Sequence, residues 1–272
     1  MTLSLPGLVH AGAVFLTGHD PDFHSQPGLG NGDNLLAVGL SFVTGGTYND
    51  HLSSTKFLWV ESAIAAPAGH VKGYNSLDDV GAIAADYDIV NAAGFATANL
   101  ANYTAIAIAS SFGGTLTRAE LDALIARSAD IAAFINAGGG LFASAECSPC
   151  GVNLLGGATA PSLFGYLPIT VTSIGASPPF TPTAYGLSLG LTAAELNDAT
   201  HNSFGLVGGL NVVDTDAAGK ATTLAGVVTV GGVASTRCPS PGHSHWWRQR
   251  SVRWLDRVGE RGNCDGCLAR LR

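Results

Sequence analysis

Thr104-Ala-Ile-Ala-Ile-Ala109, then Thr117-Arg-Ala-Glu120, then Gly138-Gly-Gly-Leu-Phe-Ala-Ser-Ala145, mark out one strand–helix–strand unit. The first run is short and wholly apolar, as a buried strand must be. Thr117-x-x-Glu120 is a capping box, in which the Thr hydroxyl and the Glu carboxylate satisfy backbone donors that the first turn of a helix leaves free. Leu121, Leu124, Ile125, Ser128, Ile131, Phe134 and Ile135 follow at three- and four-residue spacing. One face of a single helix therefore packs on a sheet, and Gly138-Gly139-Gly140 ends it. Leu141 to Ala145 is the next strand.

The same alternation extends toward the amino terminus. Ala13-Val14-Phe15-Leu16-Thr17 reads as a strand, Asn34 to Val43 as a helix closed by Gly45-Gly46, and Lys56-Phe-Leu-Trp-Val60 as a buried strand. Leu77 to Ala84 predicts a short helix and Tyr87 to Val90 another strand. From Phe164 on the character changes. Leu167 to Ser173, Leu210 to Val213 and Thr222 to Val230 read as strands among Pro- and Gly-rich turns, completing the sheet or adding a small β layer. Asp214-Thr-Asp216-Ala-Ala-Gly219 reads as a hairpin turn, since calcium would need more ligands than are in sight. Alternating strands and helices indicate the α/β class.

Composition bounds the rest. With 272 residues, 46% hydrophobic and only 12% charged, the chain can bury a full core. Few basic residues make binding to a phosphate backbone improbable, so no nucleic-acid partner is expected. The charge is uneven, with five Lys/Arg against seventeen Asp/Glu in residues 1–236, but eight Arg against three acids in residues 237–272. That change sets a boundary at Thr236.

The richest polar cluster follows the first strand. His19-Asp20-Pro21-Asp22-Phe23-His24 places two imidazoles and two carboxylates in six residues. In open α/β sheets ligands gather where loops leave the carboxyl ends of strands, so these groups would suit acid/base work or a polar clamp. Asp-Pro-Asp is equally ordinary turn chemistry. His19, Asp22 and His24 have the donors for a divalent metal, zinc or calcium, but lack the H-E-x-x-H spacing that puts two ligands on one helix face. Ser111, in Ala109-Ser110-Ser111-Phe112-Gly113, has the small-x-Ser-x-Gly look of a nucleophile elbow. Its helix starts too late, near Thr117, so Ser111 is expected to bind substrate from a loop. His51 and His70 read as solvated loop residues.

Strand, capped helix, Asn136-Ala-Gly-Gly-Gly140 and strand, with the opening Val14-Phe-Leu-Thr-Gly-His19, resemble the class I glutamine amidotransferase-like fold and its trehalose-utilisation-protein-like branch. The resemblance spans residues 13–150 and implies a flavodoxin-like three-layer parallel sheet, with the carboxyl-terminal half as a β-rich extension. In that family a Cys on a sharp turn is activated by a His, and Cys147 with His201 would fill those places. The Gly-x-Cys-x-Gly elbow is missing around Ala145-Glu146-Cys147-Ser148-Pro149-Cys150, so a disulfide or a structural loop outweighs a thiol nucleophile there. Glu146 and His201 remain candidates to complete a catalytic pocket with His19, Asp20, Asp22 and His24.

The termini carry signals of export. Leu3 to Val9 is a short apolar run ending at Val9-His10-Ala11, which fits a truncated signal peptide over residues 1–11. Written in permissible codons and read two bases on, Arg237 to Trp247 becomes Val-Pro-Glu-Pro-Gly-Thr-Leu-Ala-Leu-Val. That product resembles the PEP-CTERM sorting signal of exported bacterial proteins, so residues 237–272 are expected to be a frameshifted, disordered tail following a domain over residues 12–236. In the given frame nothing is long enough to span a bilayer.

Two function classes follow. One is a secreted or periplasmic hydrolase acting on a small ester, lactone, amide or saccharide, with or without a metal. The other is a non-catalytic exported protein that binds such a ligand or associates with extracellular matrix.

Overall fold

The computed structural model describes residues 11–26, 32–62, 72–111, 115–145, 163–196 and 202–229. The chain divides into two units, Met1–Thr236 and Arg237–Arg272, at the point where its charge changes sign. The tail and residues 1–10 lie outside the described residues, as do His70, Glu146, Cys147, Cys150 and His201.

Ten strands form one sheet: β1 Gly12–Thr17, β2 Phe57–Val60, β3 Tyr87–Val90, β4 Ala105–Ile108, β5 Gly140–Ser144, β6 Thr172–Gly175, β7 Thr181–Pro182, β8 Asn202–Leu206, β9 Asn211–Thr215 and β10 Ala221–Val228. Five of them lie parallel in the order β3-β2-β4-β5-β1. Beyond β1 the sheet turns antiparallel through β10, β8 and β6, with β9 on β10 and β7 on β9. The second half of the chain thus completes the sheet instead of forming a separate layer.

Alternation along each strand sorts the core into two faces. Val14, Leu16, Leu58, Val60, Ile106, Ile108, Leu141 and Ala143 face one side. There they meet Phe95 of α4 (Ala92–Thr97), Leu121 and Leu124 of α5 (Arg118–Ala126), and Ile131, Phe134 and Ile135 of α6 (Ser128–Asn136). Phe15, Phe57, Trp59, Ala107 and Phe142 face the other side, covered by Leu35, Leu36 and Leu40 of α2 (Asp33–Thr44) and Leu77 of α3 (Ser76–Asp79). Helices on both faces explain why β1, β2, β4 and β5 are apolar throughout. On α2, Gly39 lets the helix lie directly on the sheet, for a Cβ there would stand 2.4 Å from the Phe142 ring.

The capping box forms as the sequence indicates, with Glu120 accepting from the Thr117 N–H at 3.0 Å. The helix it starts is nevertheless two helices, not one. Arg127 leaves helical geometry (φ −104°, ψ 19°) and its guanidinium donates to the carbonyls of Phe95 and Ala98 at 2.6 and 2.9 Å while lying over the Phe95 ring. It thereby satisfies the free carbonyl end of α4. The helix predicted over Leu77–Ala84 shortens to α3 and ends before Gly81, whose φ of 85° suits only a turn. Residues 163–169 are turns, and β6 starts only at Thr172.

Candidate functional site

The loops that leave the carboxyl ends of β1 and β2, together with β9 beyond β10, bring three buried carboxylates to one end of the sheet: Asp22, Glu61 and Asp214. Each holds a different part of that end in place.

His19 follows β1 through Gly18, where a Cβ would stand 2.1 Å from the Asn202 carbonyl. Only glycine lets the loop after β1 approach the first residue of β8 so closely. The His19 ring is wholly buried; its Nε2 lies 2.8 Å from Asp214 Oδ2, which also accepts from the Thr222 hydroxyl at 2.7 Å. The edge of Phe180 meets the ring at 5.0 Å. Below it Thr17 and Thr223 join across β1 and β10 at 3.0 Å, and the Thr17 hydroxyl also takes the His19 N–H. An imidazole so held has one fixed orientation, which is the usual service of a carboxylate to a working histidine.

Asp22 lies on the four-residue helix α1 (Pro21–His24). Its Oδ2 accepts from the Ser110 N–H at 2.7 Å, and its Oδ1, also buried, has no hydrogen-bond partner among the described residues. Burial pushes the carboxyl up from 3.8 to about 6, against the opposing hydrogen bonds from Ser110. Ser110 stands at the end of β4, which is separated from β1 by β5, so the link spans two strands. Ser111, expected to bind substrate, is buried beside it, but the contact to the acidic loop is made by Ser110.

Glu61 directly follows β2. Its Oε1 accepts from the Gly73 N–H (2.6 Å) and the Thr115 hydroxyl (2.8 Å), and its Oε2 from Trp59 Nε1 (2.8 Å) and the Tyr74 N–H (2.9 Å). Burial still pushes it up to about 7, with the negative Asp22 adding to the effect while the bonds from Trp59 and Thr115 oppose it. Thr115 donates from a left-handed backbone (φ 66°), a strained position for a β-branched residue.

The proposed metal trio does not converge. His19 turns to Asp214, Asp22 to Ser110, and His24 Nε2 lies 3.6 Å from Asp20 Oδ1, one helical turn away. Asp22 and His24 sit two positions apart on α1, which sends their side chains to nearly opposite faces. Among the described residues no group of three or more His, Cys, Asp or Glu is placed to hold a metal ion. Asp20 is buried within the same loop. His51 pairs with Asp86 at 2.8 Å at the amino end of the strands, away from this site. Asp216 closes the β9–β10 hairpin by accepting from the Ala218 and Lys220 N–H groups at 2.9 Å.

Glu61 and Asp214 are the site residues that the pattern of the sequence left unmarked. A signal existed in both: Glu61 ends the apolar run Phe57-Leu-Trp-Val60, and Asp214 ends Val212-Val213. Among the described residues no helix is long and apolar enough to cross a membrane. Set against protein-family models, curated proteins and solved structures, the chain matches none.

Proposed function

We propose that the carboxyl end of the parallel sheet is an acid–base site of hydrolytic type, acting on a small ester, lactone, amide or saccharide. Asp22 is its proton donor and acceptor, and His19, oriented by Asp214, is the second base. The observation that carries this reading is Asp22 itself: a wholly buried carboxyl with one oxygen unpartnered among the described residues, holding its proton up to about pH 6. A general acid or base works best with a pKa near the operating pH. The test is a screen of chromogenic esters, lactones, amides and glycosides with the native protein and Asp22→Asn. A substrate whose turnover titrates near pH 6 and falls by about a hundredfold or more in the variant supports the reading. Turnover unchanged in Asp22→Asn overturns it.

A second reading, a non-catalytic binding protein, is favoured by Glu61, whose two oxygens are each occupied by two donors and have no capacity left for substrate. It predicts no turnover of any compound in the screen. In either case we place the protein outside the cytoplasm, on the Val9-His10-Ala11 signal and the shifted-frame sorting signal; coding DNA that is incompatible with the second frame would remove the latter support.

We read the five parallel strands as a flavodoxin-like sheet of amidotransferase-like type. Counted from β2, with β1 in last place, β3-β2-β4-β5-β1 is the order 2-1-3-4-5. That order supports the reading for β2 to β5, whereas β1, which resembles the family's opening strand, lies at the end of the parallel set and not between its second and third strands.

A further inference from the structure

An open cleft of about 470 Å³ lies at the carboxyl ends of β2 and β3, lined by Glu61, Lys72, Tyr74, Ile89, Val90 and Asn91 among others. Ser62, whose hydroxyl can donate or accept, also lines it, while Lys72 and Asn91 offer donors. Glu61 has both oxygens filled, so it offers the cleft no acceptor. The Asn91 carbonyl oxygen accepts from the Gly94 N–H at 3.1 Å, which leaves the amide NH₂ as the donor it can present. Lys72 supplies a cation. Lys56, Arg118 and Arg127 each pair with an aspartate, whereas Lys72, among the described residues, has no carboxylate partner and stands 5.6 Å from the centre of the Tyr74 ring. Ile89, 42% exposed, gives the cleft an apolar surface, while Val90, the next residue of β3, turns to the other face of the sheet.

We infer that this cleft binds a small organic carboxylate, its charged end on Lys72 and Asn91 and its hydrocarbon body against Ile89. One cation and one amide suit a single negative charge. A phosphate dianion would carry twice the charge beside the acidic Glu61, with Lys72 the one cation among the cleft's described lining residues. A neutral ligand would leave the ammonium without a counter-charge. The inference does not depend on Asp22 being catalytic.

Titration calorimetry with hexanoate, hexanamide and inorganic phosphate tests it on the full chain without any turnover. Saturable hexanoate binding, with hexanamide and phosphate about tenfold weaker or worse, is the expected result. Lys72→Met should weaken hexanoate by about tenfold and Lys72→Arg should retain it, with circular dichroism confirming the fold of each. Ile89→Asp, which puts a second negative charge on an exposed wall position, should weaken hexanoate as well. Equal binding of hexanamide, a preference for phosphate, absence of saturation, or affinity unchanged in both Lys72→Met and Ile89→Asp overturns the inference. Because the readout is binding alone, such a failure leaves the acid–base reading of Asp22 to its own test.

Discussion

Replacing Asp22 by Asn should make the protein more stable in mild alkali, and the amount follows from the geometry. Asn keeps an oxygen for the Ser110 N–H and puts its NH₂ where the aspartate has a buried oxygen with no partner among the described residues. What disappears is the buried charge. A carboxyl raised from 3.8 to about 6 in the folded state binds more protons folded than unfolded between those values. Its contribution is therefore fully present below about pH 4 and is lost as pH rises through about 6. At about 1.4 kcal/mol per pH unit, that loss is about 3 kcal/mol, and Asn escapes it. Urea unfolding at pH 4 and pH 8 reads the difference. The variant should nearly match the native protein at pH 4 and exceed it by about 3 kcal/mol at pH 8, with equal denaturant slopes. A difference independent of pH, or an Asn variant less stable at pH 8, would refute the account of Asp22 as a charge held at an energetic loss. A stabilised variant that has lost turnover would show the trade between stability and activity expected of a working group.

Three further perturbations probe the frame around it. Asp214→Ala leaves the buried His19 ring and the Thr222 hydroxyl without their shared acceptor and should lower stability by about 3–5 kcal/mol in urea unfolding at neutral pH. Thr115→Ala and Thr115→Gly both remove the bond to Glu61, but only glycine is at ease at φ 66°, so the Gly variant should be the more stable of the two by about 1 kcal/mol. Gly39→Val forces a side chain against the Phe142 and Phe15 rings and should destabilise by roughly 1–3 kcal/mol, read as a lower melting temperature; an unchanged melt would mean that α2 does not rest on the sheet this closely.

The parts of this fold written as local periodicity were readable from the chain. The strands around Val14, Trp59, Ile106 and Phe142 are continuous apolar runs because both faces are covered, and Thr117 with Glu120 announces its helix through its own hydrogen bonds. Strand order is another matter, since it depends on which distant runs pair. Nothing local tells that β10 lies against β1 or that β5 separates β1 from β4. The break at Arg127 was hidden for a similar reason. The apolar spacing continues through it, and the cause is a pair of carbonyls about thirty residues earlier in the chain. In the site, the His19–His24 loop stood out because its polar residues are adjacent in sequence. Glu61 and Asp214 are single acids after apolar runs and become site residues only when folding gathers them. The metal reading counted ligand types along the chain, whereas α1 distributes those side chains around its axis, and among the described residues no such group is placed to hold an ion.

The position of β1 between β5 and β10 has a consequence in time. Its register with β10 runs from Gly12 opposite Val228 to Thr17 opposite Thr223, so β1 gains this neighbour from a strand made more than two hundred residues later in the chain. At roughly 5–20 residues per second, that neighbour arrives roughly 10–40 s later. Until then Val14, Phe15 and Leu16 form an apolar strand with an open edge, a template for another nascent chain. That open edge should make the yield of folded protein depend on synthesis rate as well as on final stability.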